Sequence, residues 1–458
     1  MDEVVRDAHA VFKSGVWSKA PRHVRADTLE RVAQLLTENL PRLIELEVRQ
    51  TGRAIREMNA QVPTLVKWFK YYSSLIRTEE RSVLPTMGKL HNWIDRVPLG
   101  VVAQITPFNH PMLIAVKKIA PALAAGNSVV LKPSELTPLT SLELGKLLKE
   151  AGVPNGVFNV VVGDGPTTGK ALVSHPLIKK VDVTGGTPAG RSIGTIAGGN
   201  LAHYTAELGG KAPLIVFNKA NVDAAVNGIV FGSFIASGQT CVAATRIIVQ
   251  KSIYSDVLGK LKVKAESIER RMGNPKNRDS MMGPLISAKQ LSHVTALVDD
   301  AIGSGVEIIH GGKRMTGVST IDGTDFSKGY FYPPTILASG SLKARIWKEE
   351  AFGPVIVVVP FETEDEALAL ANDSEFGLGA AIWTQDLSQA YRVSETVEAG
   401  ICWVNTHHRN DPSSPWGGIK SSGVGSENGI GESPLYLQVV CIHPTIVCIR
   451  RILLRYGA

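Results

Sequence analysis

The chain has 458 residues, 44% of them hydrophobic and 20% charged, a balance that excludes a disordered or fibrous protein. At about 150 residues per domain, this length holds two or three domains with cores of their own, stable without disulfides or metals. Lys and Arg outnumber Asp and Glu by 49 to 42, a net charge of +7, with no block of like charge; this excludes a nucleic-acid arm and leaves room for an anionic ligand.

The opening residues, Met1-Asp2-Glu3-Val4-Val5, show neither the basic nor the apolar region of a signal peptide. No apolar run reaches the ~18 residues of a membrane helix. A cytoplasmic enzyme that engages neither membrane nor nucleic acid is therefore expected. Helical periodicity dominates the first 80 residues: Asp27 is read as the N-cap of a helix over 28–40, and Pro41 opens a second helix that Gly52 closes. Residues 82–95, with Pro85, Gly88 and alternating His91, Trp93 and Asp95, read as an extended hairpin, an arm leaving one domain.

From Val101 a strand–helix rhythm sets in. Short apolar strands are expected over 101–105, 128–131, 157–162 and 181–183, alternating with helices from His110 to Gly126, over 139–150, over 167–173 and from Pro188. Continuous apolar strands of this kind form a parallel sheet covered on both faces, whose strand-end turns collect ligands along one edge. After a break at Leu208-Gly209-Gly210, a second series places strands over 213–217, 245–250, 355–360, 379–384 and 400–405, with helices over 222–236, 255–272 and 288–303. The last 25 residues, apolar and basic through Arg450, Arg451 and Arg455, fit neither series; a strand followed by a fray is one reading.

Four cysteines, Cys241, Cys402, Cys441 and Cys448, are too few for a disulfide framework and lack metal-like pairing with histidine. Cys241, in Ser237-Gly238-Gln239-Thr240-Cys241, lies on a turn between a helix and a strand, where a thiolate has access and backbone N–H groups stand ready as oxyanion donors; taken alone, it reads more readily as an inert buried cysteine. Glu207, in Ala206-Glu207-Leu208-Gly209-Gly210, ends a strand at the domain break as a general base or as a solvated carboxylate. Asn109, in Thr106-Pro107-Phe108-Asn109-His110-Pro111, offers an amide donor or a helix cap. Lys132 and Glu135 follow a strand and suit ribose hydroxyls. Gly163-Asp164-Gly165 and Thr184-Gly185-Gly186-Thr187 are glycine turns ahead of helices, open to a diphosphate but short of the full dinucleotide fingerprint. Glu350-Ala351-Phe352-Gly353-Pro354 and the Trp416 turn are ambiguous in isolation.

In this order, Asn109, Lys132, Gly185, Glu207, Cys241, Glu350, Phe352 and the Trp416 turn resemble the aldehyde dehydrogenase superfamily, from residue 6 to residue 427. The resemblance implies an α/β protein: a Rossmann-like dinucleotide-binding domain (1–80 and 99–207), a second α/β catalytic domain (208–424) and a small β oligomerisation arm (81–98 and 425–458). It implies that Cys241 attacks the aldehyde, that Asn109 and the Cys241 N–H hold the oxyanion, and that Glu207 activates water to hydrolyse the thioester. Lys132, Glu135, Gly165, Thr184, Gly185, Gly186, Leu208, Gly209, Glu350 and Phe352 match the family's cofactor-binding positions. Lys117, His407 and Trp416 match its substrate pocket, and Lys118 and Glu427 match supporting charges. No metal is implied. A glutamate at position 135 accepts from a free 2′-hydroxyl and repels a 2′-phosphate, which favours NAD over NADP. A homodimer or homotetramer is expected through the arm.

Departures from the pattern carry information. Gly186 stands where a phosphate-contacting serine is usual, Lys117 where a tunnel aromatic is usual, and Ser426 where an arginine is usual. Lys117 and the polar loop 406–410 favour an acidic or oxygenated aldehyde over an aliphatic one. Two other readings stay open: acyl transfer to coenzyme A in place of water, against which Glu207 argues, and a weakly active scaffold with altered termini, against which the intact Cys241, Glu207 and Asn109 argue.

Overall fold

The computed structural model describes residues 1–80, 82–85, 91–338 and 342–430, and the backbone of 437–442. The N-terminal helices Asp2–Ser14, Arg22–Glu38, Leu40–Thr51 and Val66–Thr78 form a layer against the first sheet. In Arg22–Glu38 the fully buried Leu29, Val32, Ala33 and Leu36 follow the i, i+3, i+4, i+7 stripe of an amphipathic helix. Asp27 is not its N-cap. Pro21, with φ −54°, precedes the first turn, and Asp27 lies on the exposed side in an ion pair with Arg77 of Val66–Thr78. Leu40–Thr51 ends as the sequence suggests, at Gly52 with φ 72°, a left-handed cap that glycine takes without a Cβ penalty.

The first sheet has six strands in the order Gly423–Val424, His203–Glu207, Ile178–Thr184, Val101–Ile105, Ser128–Lys132, Phe158–Val160. All run parallel except the edge pair Gly423–Val424. From Val101–Ile105 the chain winds outward through Ser128–Lys132 and Phe158–Val160, then crosses back to Ile178–Thr184 on the other side. That reversal is the point where the carboxyl ends of such strands leave a crevice for a ligand. Gly423–Val424 lies on this sheet although the sequence division assigned it to the second domain.

The second sheet has seven strands in the order Glu307–His310, Thr335–Ala338, Val355–Phe361, Ala244–Gln250, Ala212–Val216, Gly379–Trp383, Ile401–Val404. It too is parallel, except for the edge strand Glu307–His310. Its inner strands are buried through almost their whole length, as a sheet covered on both faces requires. A third, small sheet joins Val83–Leu84, Asn92–Pro98 and Leu437–Ile442. The expected hairpin is thus strand-paired where described, and residues 437–442 run antiparallel to it, with Leu437 opposite Pro98 and Ile442 opposite Trp93. Residues 431–436 and 443–458 of the tail lie outside the described residues, as do 81 and 86–90 of the arm.

Among the described residues, no helix is long and apolar enough to cross a membrane, and no group of three or more His, Cys, Asp and Glu is placed to hold a metal.

Candidate active site

The carboxyl ends of the first sheet and the turn before Ala244–Gln250 meet at Cys241. Three consecutive left-handed residues, Ala236 (φ 53°), Ser237 (φ 56°) and Gly238 (φ 71°), lead into it. The two non-glycine members sit in a costly region that surrounding bonds must hold. Ala236 N–H donates to the Glu57 carboxylate at 3.2 Å and the Ser237 hydroxyl donates to the Gly283 carbonyl at 2.8 Å. At Gly238 a Cβ would meet the Gly353 carbonyl at 2.2 Å, so only glycine fits. The Gln239 side chain accepts from Ile286 N–H at 3.0 Å, which locks the turn onto the following segment.

Glu207 ends its strand opposite Thr184 on one side and Gly423 on the other, and its carboxyl group lies close enough to the Cys241 thiol for each to shift the other's proton affinity. The Leu208-Gly209-Gly210 turn brings the two strands' ends close together. A Cβ on Gly210 would lie 2.2 Å from the Cys241 carbonyl, and one on Gly209 would lie 2.6 Å from a Glu350 carboxylate oxygen. Asn109 does not cap the helix Pro111–Ala125; His110 occupies the cap position without a side-chain bond. Instead the Asn109 amide nitrogen donates to the Gln239 carbonyl at 2.8 Å, which ties it to the cysteine turn, and its own oxygen is buried without a partner.

Burial dominates the electrostatics. It pushes the Cys241 thiol well up, the Glu207 charge adds to that, and Lys117 opposes both. Burial also raises Glu207, next the Glu427 carboxylate, against the pull of Lys117. The resting pair is thus a thiol beside a base whose proton affinity is raised, the arrangement general-base activation needs. Glu350 is pushed up to about 7 by burial, opposed by the Gly210 N–H that donates to it at 3.0 Å.

Behind Glu207 lies a buried charge cluster. Lys118 pairs with both Asp182 and Glu427, and Lys117 pairs with Glu427 at 2.8 Å. Burial would raise Glu427, but the two lysines win and pull it down to about 2. Thr184 donates to Glu427 at 3.4 Å. Glu427 reaches this place because its backbone pairs with that of Trp416, beyond the edge strand Gly423–Val424.

A cavity of about 650 Å³ opens onto Cys241 and Glu207, and Lys117 and Trp416 line it. His407 does not: its ring is buried against Trp403, at 4.8 Å between ring centres, and against Gly232. The next residue, His408, with φ 60°, turns to the cavity wall in its place. The loop reverses between them, which a polar run His407-His408-Arg409 does not disclose. The sequence also gave no notice of Arg53 and His110. Buried Arg53 bonds Glu57 at 3.0 Å, Gln61 at 2.8 Å and the His110 Nδ1 at 2.7 Å, forming one wall of the cavity.

The remaining positions suit a dinucleotide. Lys132 is 3% exposed, yet among the described residues its ammonium has only the Pro133 carbonyl at 3.1 Å and the exposed Glu135 at 3.5 Å as partners, leaving donor capacity for ribose hydroxyls. A Cβ at Gly165 would meet nothing within 4 Å, and at Gly185 and Gly186 only single atoms at 4.0 and 3.9 Å. This is open space ahead of the helix Thr187–Gly199, whose first N–H groups suit a diphosphate. Gly185 N–H donates to the Glu207 carbonyl at 3.1 Å, and Leu208 N–H to the Ser422 carbonyl at 2.8 Å, while the Gly209 carbonyl accepts from the Ser422 hydroxyl at 2.7 Å. These bonds fix the crevice wall. Phe352, with φ 48°, stands edge-on to Phe108 at 5.7 Å, across the same crevice.

A model of the aldehyde dehydrogenase family matches residues 1–442. The fold is similar to that of a Burkholderia cenocepacia protein assigned as an aldehyde dehydrogenase, with 39% identity over 97% of this chain and 89% of that one and a TM-score of 0.93. It is similar to PnpE in complex with nicotinamide adenine dinucleotide, with 38% identity over 97% of this chain and 89% of the other and a TM-score of 0.93. It is also similar to Staphylococcus aureus betaine aldehyde dehydrogenase in complex with NAD+, with 36% identity over 96% and 86% of the two chains and a TM-score of 0.93.

Proposed function

Because the chain belongs to the aldehyde dehydrogenase family, we propose that it oxidises an aldehyde to the carboxylic acid with NAD through a covalent bond to Cys241. The meeting of Cys241 and the buried Glu207 on one cavity, each shifting the other's proton affinity, carries this reading. Glu207 takes the thiol proton as the sulfur attacks the carbonyl carbon. The Asn109 amide, already anchored to the cysteine turn, and the Cys241 N–H are the donors for the oxygen that becomes negative. NAD, when bound, supplies the acceptor for the hydride that leaves this carbon, and a thioester on Cys241 remains. Glu207 releases the thiol proton to solvent, then removes a proton from water as it adds to the thioester, and returns that proton to the sulfur as it departs and the acid is released. A base this close to the sulfur supports water as the acyl acceptor over a coenzyme A thiol.

Lys132 and Glu135 would hold the adenosine ribose, the Gly165 and Gly185-Gly186 turns the diphosphate, and Glu350 and Phe352 the nicotinamide end. The carboxylate of Glu135 supports NAD over NADP. The strand pairing of Asn92–Pro98 with Leu437–Ile442 supports an arm drawn from 81–98 and 425–458, with a homodimer or homotetramer formed through it. The two parallel sheets support dinucleotide-binding and catalytic domains divided near Leu208. A cytoplasmic location is part of the same reading. Betaine aldehyde carries a fixed positive charge and is not proposed as the substrate here.

The test is NADH formation by the full chain with a panel of aldehydes, with and without coenzyme A. NADH and free acid without coenzyme A, both abolished in Cys241→Ser, are expected. Undiminished turnover in Cys241→Ser contradicts the covalent route, and strict dependence on coenzyme A contradicts hydrolysis.

A further inference from the structure

The lining of the cavity is one-sided in its hydrogen-bonding chemistry. Arg53 can only donate, so the bond from its Nη1 to His110 Nδ1 at 2.7 Å makes that nitrogen the acceptor. The His110 proton therefore sits on Nε2. Burial and the neighbouring Arg53 hold this imidazole neutral, and the Nε2–H has no partner among the described residues although His110 is 3% exposed. The Trp416 Nε1–H is likewise buried and unpartnered, with the Lys117 ammonium 4.8 Å from the centre of its ring.

Acceptors are scarce on the same wall. The lining carboxylates are Glu57 and Glu207. Glu57 is taken by Arg53 and by Ala236 N–H, and Glu207 faces the cysteine at the inner end, with one carboxylate oxygen unpartnered among the described residues. Exposed Arg56, Lys67 and Arg409 stand around the outer part of the cavity. Lys67 works against the nearby Asp411. Arg56 and Arg409 have no carboxylate partner among the described residues, Arg56 donating instead to the sulfur of Met281.

Unpartnered buried donors leave a desolvation cost that an acceptor-rich ligand removes, and the exposed, unpaired arginines around them favour one that is negatively charged. We infer that the aldehyde for which this site is built carries a carboxylate on its far end, received by Arg56 and Arg409 with the inner donors of His110 and Trp416 facing the substrate's oxygens. The inference rests on the oxidation proposed above and names its substrate class. A cationic substrate meets the opposite situation: like charge at the rim, with no carboxylate among the described lining residues placed there to offset it.

The experiment compares kcat/KM for matched aldehydes differing only in the far group, succinic semialdehyde against butanal and 4-carboxybenzaldehyde against 4-methylbenzaldehyde, with betaine aldehyde as the cation. The full chain should prefer each carboxylated partner by tenfold or more, chiefly through KM, with betaine aldehyde poorest and the preference shrinking as salt is added. In the double variant Arg56→Gln/Arg409→Gln the carboxylated-to-neutral ratio should fall at least tenfold. Equal or better use of butanal and 4-methylbenzaldehyde by the full chain overturns the inference while leaving aldehyde oxidation intact, and so does a ratio unchanged in the double variant. NADH formation with none of these aldehydes overturns the oxidation itself, and the inference with it.

Discussion

The Lys117 ammonium lies 2.8 Å from the Glu427 carboxylate and 4.8 Å from the centre of the Trp416 ring, holding a positive charge at 3% exposure beside both Cys241 and Glu207. It lowers the proton affinity of each. Lys117→Leu should therefore raise both, so that the rising limb of the pH profile of kcat/KM moves to higher pH. Glu427 would keep Lys118 and the Thr184 hydroxyl, and stability should fall by about 1–3 kcal/mol, the usual cost of a buried polar group left short of a partner. A pH profile together with urea unfolding checks both; an unmoved limb would show that Lys117 does not act on the pair.

Gly210 has no room for a side chain, since a Cβ would lie 2.2 Å from the Cys241 carbonyl. Gly210→Ala should push the Glu207 turn off the cysteine turn and lower kcat by about 10²-fold, the scale expected for displacement of a reacting group by about 1 Å. Single-turnover kinetics at saturating NAD would read this loss directly.

His407 is buried with both ring nitrogens unpartnered among the described residues, and burial lowers it to about 3 from 6.5. The folded chain thus keeps this ring neutral, while the unfolded chain protonates it below about pH 6.5. Its contribution is intact above that pH and is lost as pH falls toward 3, by up to about 1.4 kcal/mol per pH unit. His407→Phe keeps the stack on Trp403 and removes the titration. Its melting temperature should fall less than that of the parent between pH 6.5 and 4.5, and parallel curves would contradict the assignment.

Glu135 is exposed and sits 3.5 Å from the Lys132 ammonium. If its carboxylate sets the cofactor preference, Glu135→Gln should raise kcat/KM for NADP relative to NAD by about tenfold, the worth of one repulsive contact of about 1.4 kcal/mol. Initial rates with the two cofactors decide it.

Much of the fold is legible because buried parallel strands and amphipathic helices write their pattern into consecutive residues. Leu139–Glu150 and Ala288–Gly303 occupy the residues expected of them. Glu307–His310 and Thr335–Ala338 escape notice because four-residue strands carry almost no periodicity. Asp27 misleads because a good capping residue can equally serve mid-helix on an exposed face, where Arg77 meets it. At the site, Cys241 and Glu207 stay ambiguous in their glycine-rich settings and stand out only through their order with Asn109, Lys132 and Glu350; the close approaches at Gly209 and Gly210 explain the glycines. Arg53 and His110 are 57 positions apart, and nothing local announces that they meet. His407 and His408 differ only in a backbone reversal at φ 60°, invisible in their order along the chain.

Rapid mixing of Glu207→Gln with NAD and aldehyde, followed by mass measurement of the intact and digested chain, tests the covalent route most directly. A burst of about one NADH per site, slower than in the parent, a still slower steady rate, and an added acyl mass on the peptide containing Cys241 are predicted. A burst-free progress curve, or unmodified Cys241 while NADH accumulates, would contradict it.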